Sequence, residues 1–455
     1  MDRIFKFLVI VSVAFLAFIG GAFVILTQVF PSGYLSDAHE AMVALYHQQE
    51  DYKSPYVTNL WRPARTDERG VTVYNQAKTY DGFTLYTSAH AQKAFLISMD
   101  GEVVHEWALP ISKIWENSRW DKSKRKLRPP GFVTWEDAYL YPNGDLLAMY
   151  VGTGDTPWGY GLVKMDKNSK VIWKHFDYTH HALDVADDGK IYVLTNTIED
   201  TPIEGYENLA PPRLDDYVNV LSPDGKLLNK VSIMDAMLRS PYARMLHTTA
   251  WNVKEDYLHS NSVQFIDGKT ASKLPFASAG QVLLSFRDID TIAILDLDKK
   301  EIVWALEGSW HRQHSAGMLP NGHVLLFDNW GHYRPGGASR VIEFNPVTSE
   351  MVWAYAGNEK RFFESRIRSD QKRLPNGNTL ITESDGGRII EVTRSGEIVW
   401  EYVNPVRAGG KNALIPVLYF GVRRIAPASL DPEFRQILNE PPRSPKSSAR
   451  TTNLL

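Results

Sequence analysis

Five segments of this chain end in tryptophan after a short apolar couplet, and their recurrence constrains the fold more than any other feature. They are Gly101-Glu-Val-Val-His-Glu-Trp107, Lys170-Val-Ile-Trp173, Lys300-Glu-Ile-Val-Trp304, Glu350-Met-Val-Trp353 and Gly396-Glu-Ile-Val-Trp400. A degenerate copy, Asp224-Gly-Lys-Leu-Leu228, lacks the tryptophan. A turn phrase recurs as well: Tyr141-Pro-Asn-Gly144, Ala186-Asp-Asp-Gly189, Leu319-Pro-Asn-Gly322 and Leu374-Pro-Asn-Gly377. Asn-Gly or Asp-Gly before an apolar run marks a hairpin, because glycine accepts a positive φ without steric cost. Modules of about 45–55 residues, built from short strands with no helical period, indicate a propeller. With Asp81-Gly82-Phe-Thr-Leu85 as the first module and residues 255–304 as another, the count is six. The expected fold is all-β, a six-bladed β-propeller over residues 76–410, with the repeated tryptophans as core between blades.

The segment before the repeats is of another kind. No charge occurs from Phe7 to Phe30, a run long enough to cross a bilayer as a helix. Arg3 and Lys6 precede it, so the positive-inside rule holds the N-terminus in the cytoplasm. Residues 1–31 are expected to be a transmembrane signal-anchor in the inner membrane, single-pass, with the propeller in the periplasm. A cleaved signal peptide is the rival reading, with a shorter apolar region and an A-x-A-like site. Residues 32–75 read as a juxtamembrane collar, including a short helix over 37–49 capped by Ser36 or Asp37. Residues 411–455 read as a C-terminal extension whose tail, from Pro441, is disordered. The 455 residues contain no cysteine, which excludes disulfides, thiolate metal sites and cysteine nucleophiles. A formal net charge of −3 gives no reason to expect a nucleic-acid partner.

The innermost strand of a propeller blade faces the central channel, so the turn glycines set a register. Eight residues before Gly322 and Gly189 stand His314 and His181, and nine before Gly268 stands His259. Glu136 and Ser369 hold the equivalent place in other modules. Three imidazoles in register converge on one end of the axis, and Arg287 lies on a strand of the His259 module. A guanidinium presents a fork of donors that suits sulfate or phosphate. A neutral, oriented histidine is a nucleophile, and neighbouring positive charge keeps it neutral. The set suits transfer of an anionic XO₃ group. No P-loop, Gly-rich nucleotide motif or carboxylate cage accompanies it, so no cofactor is expected.

Residues 130–405 resemble the bacterial aryl sulfotransferases, on His259-Ser-Asn-Ser262, Ser285-Phe-Arg287, Gln313-His314 and Phe327-Asp-Asn329. Those proteins are periplasmic six-bladed propellers that move sulfuryl groups between phenols without the nucleotide donor PAPS. The resemblance implies that His314 is the nucleophile and becomes a sulfohistidine, with His259 and Arg287 on the sulfuryl oxygens. His181 is the third histidine, with His180 as the alternative. His180, Asn261, Gln313 and Asn329 are the implied substrate-binding residues. The implied partners are an aryl sulfate donor and a hydroxyl acceptor. The chain departs from the family in having no cysteine pair and a collar too short for an N-terminal β-sandwich. The segment Trp330–Ala338 also differs from the family's Gly-rich continuation. Two other readings of the residues stay open: a His₃ zinc enzyme, and a non-catalytic propeller that binds an envelope protein or glycan.

The topology is directly testable. A periplasm-active reporter fused after Leu455 should give signal, and a cytoplasm-active reporter at the same position should be silent; the reverse pattern refutes the orientation.

Overall fold

The computed structural model describes residues 2–27, 29–34, 54–114, 127–154, 158–249, 253, 255–331, 333 and 335–439. The expected collar helix over 37–49 and the tail from Pro441 lie outside the described residues. Two compact units divide the chain, residues 1–58 and 59–455. In the first, Asp2–Thr27 forms one helix. Its Arg3–Thr27 stretch is long and apolar enough to cross a membrane. Its large apolar side chains are exposed, as a lipid-facing helix requires.

The second unit is a six-bladed β-propeller. Six antiparallel sheets succeed one another, each beginning with an inner strand. The inner strands of blades 2 to 6 are Val133–Leu140, Thr179–Val185, Ser260–Phe265, His314–Met318 and Asp370–Arg373. The turn phrases Tyr141–Gly144, Ala186–Gly189, Leu319–Gly322 and Leu374–Gly377 all join an inner strand to the second strand. Their glycines have φ between 79° and 87°. In blade 4, by contrast, Asp267 caps a short helix, Gly268–Ala271, and the second strand starts only at Val282. Strands in mid-blade are covered on both faces: every residue of Leu146–Gly152 is buried.

The ring closes at blade 1, the neighbour of the Trp400 blade. Phe83–Thr87 is the second strand of that blade, and Arg423–Ile425 supplies its inner strand. Phe83–Thr87 is buried at four of its five positions, which suits a strand paired along both edges. Gly82 permits the approach, since a Cβ there would lie 2.5 Å from the Ile425 carbonyl oxygen. A different N-terminal strand, Gly70–Tyr74, becomes a fifth strand of blade 6 by pairing with Ile398–Val403. Strands on both sides of the expected span 76–410 thus belong to blades.

The repeated tryptophans sit on the fourth strand of their blades, counted from the inner one, and four of them tie one blade to the next. The indole N–H of Trp107 donates to Gly144 O at 3.0 Å, and that of Trp173 to Pro223 O at 3.1 Å. Trp353 donates to Arg394 O at 2.9 Å and Trp400 to Met99 O at 2.8 Å. Each acceptor lies in a hairpin turn of the following blade. Blade 3, whose copy lacks the tryptophan, is joined to blade 4 by the helix Ile233–Leu238. Its Ile233, Met234, Ala236 and Met237 pack with Val231 and with Ile302 of blade 4. Trp304 stacks on Phe276 with ring centroids 4.4 Å apart.

These latches differ in what they hold. Trp400 is fully buried and carries the Arg424 guanidinium 4.5 Å above its ring, whereas Trp304 is half-buried. Trp400→Ala should lower the unfolding free energy by about 3–5 kcal/mol, the range for removing a large buried aromatic. Trp304→Ala should cost clearly less, and urea unfolding of the two variants in detergent checks the order.

Candidate functional site

Inner strands that ran in perfect register would send alternate side chains to the channel and to the neighbouring blades. Here the ladder shifts at the register positions. Blade 2 breaks step between Trp135 and Asp137, blade 3 between His180 and Leu183, blade 4 between Ser260 and Ser262, and blade 5 between His314 and Gly317. Bulges re-aim side chains. His181 and His259 take left-handed φ values of 57° and 51°, as does Ser315 at 53°. Carboxylates from the preceding blade accept the amides near the breaks. Glu136 accepts the His181 N–H at 2.7 Å, and Asp216 accepts the Ser260 N–H at 2.8 Å.

His181, His259, Arg287 and His314 consequently line one cavity of about 300 Å³, together with Glu136, Trp158, Arg368 and Tyr419. The hydrogen bonds fix the proton positions. The Asn329 amide donates to Ser365 O at 2.8 Å and Arg368 O at 3.1 Å, so its oxygen faces His314. Nδ1 of His314 lies 2.8 Å from that oxygen and 3.2 Å from Arg312 O, two acceptors, so Nδ1 carries the proton. Nε2 of His314 then holds the lone pair and accepts the Arg368 backbone N–H at 3.4 Å. His259 is held in the same tautomer. Its Nδ1 donates to Asp256, and its Nε2 accepts from Arg287 Nη1 at 3.1 Å. Asp288 fixes the other side of the guanidinium, accepting from Arg287 Nε at 3.1 Å.

Burial and neighbouring cations keep these rings neutral. Burial, then the Arg287 guanidinium, holds His314 well below the usual histidine range and brings His259 down to about 3. Burial, then His259 beside it, holds His181 well below its ordinary value. His180 goes the other way. Burial disfavours its charge, but Asp216 beside it, with Glu136 and Asp256 nearby, outweighs burial and raises its pKa.

The remaining sequence-derived residues stand behind this wall. His180 is buried, with Nδ1 2.8 Å from Nδ1 of His181. Asn261 donates to Gln313 O at 2.7 Å, and the Gln313 amide donates to Ser285, Phe286 and Thr291, each at 3.0 Å. With Asn329, these three side chains support the lining without belonging to it. Trp158, Arg368 and Tyr419 went unnoticed in the sequence, because they sit in connections that carry no repeat. Glu136 stood in the histidine register and could have been found there. Phe420 closes the floor. Its ring lies parallel to His314 at 6.0 Å and packs on His181 at 5.8 Å, while it also lines a larger chamber of about 580 Å³. That chamber's lining contains none of the imidazoles. Among the described residues no group of three or more His, Asp or Glu side chains is arranged to hold a metal ion. The Nε2 lone pair of His259 is, besides, taken by Arg287.

The family model of the arylsulfotransferases (ASST) matches residues 138–405. A search of curated proteins finds no match. Among solved structures, a protein of unknown function from Bacteroides caccae is similar at 13% identity, over 74% of this chain and 99% of that chain, with TM-score 0.46. The WD40 β-propeller domain of Doa1 is similar at 12% identity, over 80% and 98% of the two chains, with TM-score 0.39. Virginiamycin B lyase from Staphylococcus aureus, selenomethionine-substituted, is similar at 12% identity, over 79% and 97%, with TM-score 0.37.

A histidine kept neutral in the fold but free to protonate when unfolded makes the unfolded chain bind more protons below about pH 6.5. Its contribution to stability is complete above that pH and is lost as the pH falls. Asp137 and Asp256, each raised by burial to about 6, act with the opposite sign, so the comparison belongs between variants. The stability difference between wild type and His314→Gln should shrink by about 1.4 kcal/mol per pH unit below about 6.5. Denaturant midpoints between those limits measure it, and parallel pH curves would show that His314 is charged in the fold.

Proposed function

The chain belongs to the arylsulfotransferase family, and we propose that it moves a sulfuryl group from an aryl sulfate to a phenolic or other hydroxyl acceptor through a sulfohistidine at His314. The observation that carries this reading is the tautomer of His314. Asn329 and Arg312 O hold the proton on Nδ1, which leaves an Nε2 lone pair in a cavity that also holds a guanidinium. A buried neutral imidazole beside a fixed cation is a nucleophile prepared for an anionic substrate.

In the first half-reaction the Nε2 pair attacks sulfur and the S–O bond to the aryl group breaks, its pair leaving with the phenolate oxygen. His314 becomes an N-sulfonated imidazolium whose Nδ1–H still donates to Asn329. Arg287, held by Asp288 and His259, is placed to meet the sulfuryl oxygens, and the Arg368 amide, which donates to Nε2 in the resting site, is released toward them as Nε2 bonds to sulfur. Trp158 and Tyr419 give aromatic walls for the rings of donor and acceptor. In the second half-reaction an acceptor oxygen takes the sulfur and the S–N pair returns to Nε2. His181 is the cavity's candidate acid/base. Asn261, Gln313 and Asn329 act by positioning the lining. With Asp2–Thr27 as a single-pass anchor, the reading puts the propeller in the periplasm. A zinc reading fits less well, because Arg287 occupies the lone pair His259 would need as a ligand.

Two half-reactions through a covalent intermediate imply ping-pong kinetics. Incubation with 4-nitrophenyl sulfate should add one SO₃ to the peptide containing His314, seen by mass spectrometry. His314→Ala should abolish both that adduct and nitrophenol release, and Arg287→Ala should slow transfer by about 10²–10³, the cost of losing one preorganised donor. Folded His314→Ala protein that still transfers at the wild-type rate would make the binding propeller the better reading.

A further inference from the structure

Resting on the sulfuryl-transfer reading, we propose that the buried pair His180–Asp216 is the proton store of the reaction, charged and discharged through His181. His180 lines neither chamber and is 1% exposed. Its Nδ1 lies 2.8 Å from Nδ1 of His181, and its Nε2 lies 3.4 Å from Asp216 Oδ1. Two imidazole nitrogens at that separation share one proton, since two N–H groups or two lone pairs would repel each other. Asp216 comes from the third strand of blade 3 and is pinned by the Ser260 amide. Glu136, on the inner strand of blade 2, and Asp256, ahead of blade 4, add negative charge around His180. His259, Arg287 and His314 face His181 instead and disfavour charge there. The positive charge therefore belongs on the deeper ring, and His181 keeps Nε2 as its ring nitrogen available to a ligand.

Two states of the pair differ by one proton. In the loaded state His180 is an imidazolium whose Nε2–H stands in ion-pair contact with Asp216 at 3.4 Å and whose Nδ1–H donates to His181, and Nε2 of His181 bears a proton. As the aryl S–O bond breaks, the phenolate oxygen takes that Nε2 proton, and the Nδ1 proton of His180 crosses to Nδ1 of His181. A neutral phenol leaves, and both rings are neutral. In the second half-reaction the acceptor O–H gives its proton to Nε2 of His181, and the Nδ1 proton returns to His180. The acceptor oxygen bonds to sulfur, the S–N bond breaks, and its pair goes back to His314. Protons and charge balance over the cycle without exchange with solvent.

His180 and Asp216 are positioning residues, and a merely structural role would be to steady the His181 ring. Leaving-group dependence separates the two. Phenyl sulfate expels a phenolate whose conjugate acid has a pKa of about 10, so its departure depends on a proton. The nitro group of 4-nitrophenyl sulfate withdraws charge and relaxes that need. Donor kcat/KM, with a second phenol as acceptor, is compared for wild type, His180→Gln and Asp216→Asn. The asparagine retains an acceptor for the Ser260 amide. The loss on phenyl sulfate should exceed the loss on 4-nitrophenyl sulfate by about 10²-fold, the scale of general acid catalysis. Equal losses on both donors overturn the store. Wild-type protein alone gives a second reading: a solvent deuterium isotope effect with phenyl sulfate that is absent with 4-nitrophenyl sulfate. No isotope effect on either donor overturns the proposal even if neither variant folds. Wild-type protein that releases no phenol from either donor overturns the sulfuryl-transfer reading itself, a separate result.

Discussion

The cavity depends on a backbone conformation that most side chains avoid. His181 and His259 sit at left-handed φ where the inner strands break step. Such a residue costs on the order of 1–3 kcal/mol and persists only where its surroundings over-determine it. What over-determines it here is a set of buried carboxylates that reach across to the next blade. Glu136 takes the His181 amide, Asp137 the Leu183 amide at 3.1 Å, and Asp216 the Ser260 amide. The same contacts hold blades 2, 3 and 4 to one another, so the strain that aims the imidazoles is also part of what fastens the ring.

Those carboxylates give the cavity two electrostatic layers. The lining is buried and contains the Arg287 guanidinium, and together these keep its rings neutral. One residue deeper the field changes sign, and His180 is held above its usual pKa by Asp216 despite complete burial. Adjacent residues of one strand thus have opposite preferences for a proton. The bulge between His180 and Leu183 makes this possible, because it turns one ring to the cavity and leaves its neighbour in the wall.

The architecture was legible because its signals are local and repeated. The Gly-x-φ-φ-Trp phrase marks an outer strand and the Asn-Gly turn marks the end of an inner one, so counting back from the glycine found His181 and His314. The family resemblance left His180 as the alternative to His181, since the bulge between His180 and Leu183 leaves no mark in composition. Asn261, Gln313 and Asn329 were tied to ligand by their place in motifs; their amide N–H groups hold strands and loops in place, while Asn261 Oδ1 and Gln313 Oε1 make no hydrogen bond among the described residues. The partner strand of the closure was not legible, for a different reason. Pairing Thr84 with Arg424 joins residues far apart in the chain, and neither carries a local sign of its partner.

That closure has a consequence for how the molecule is made. The chain reaches Arg423–Ile425, the strand that completes blade 1, only after every other blade strand has been made. Tyr419 and Phe420, a wall and the floor of the cavity, arrive immediately before it. Until that strand is made the ring stays open at blade 1, and a polypeptide cut short before Tyr419 lacks that wall of the cavity as well as the closure.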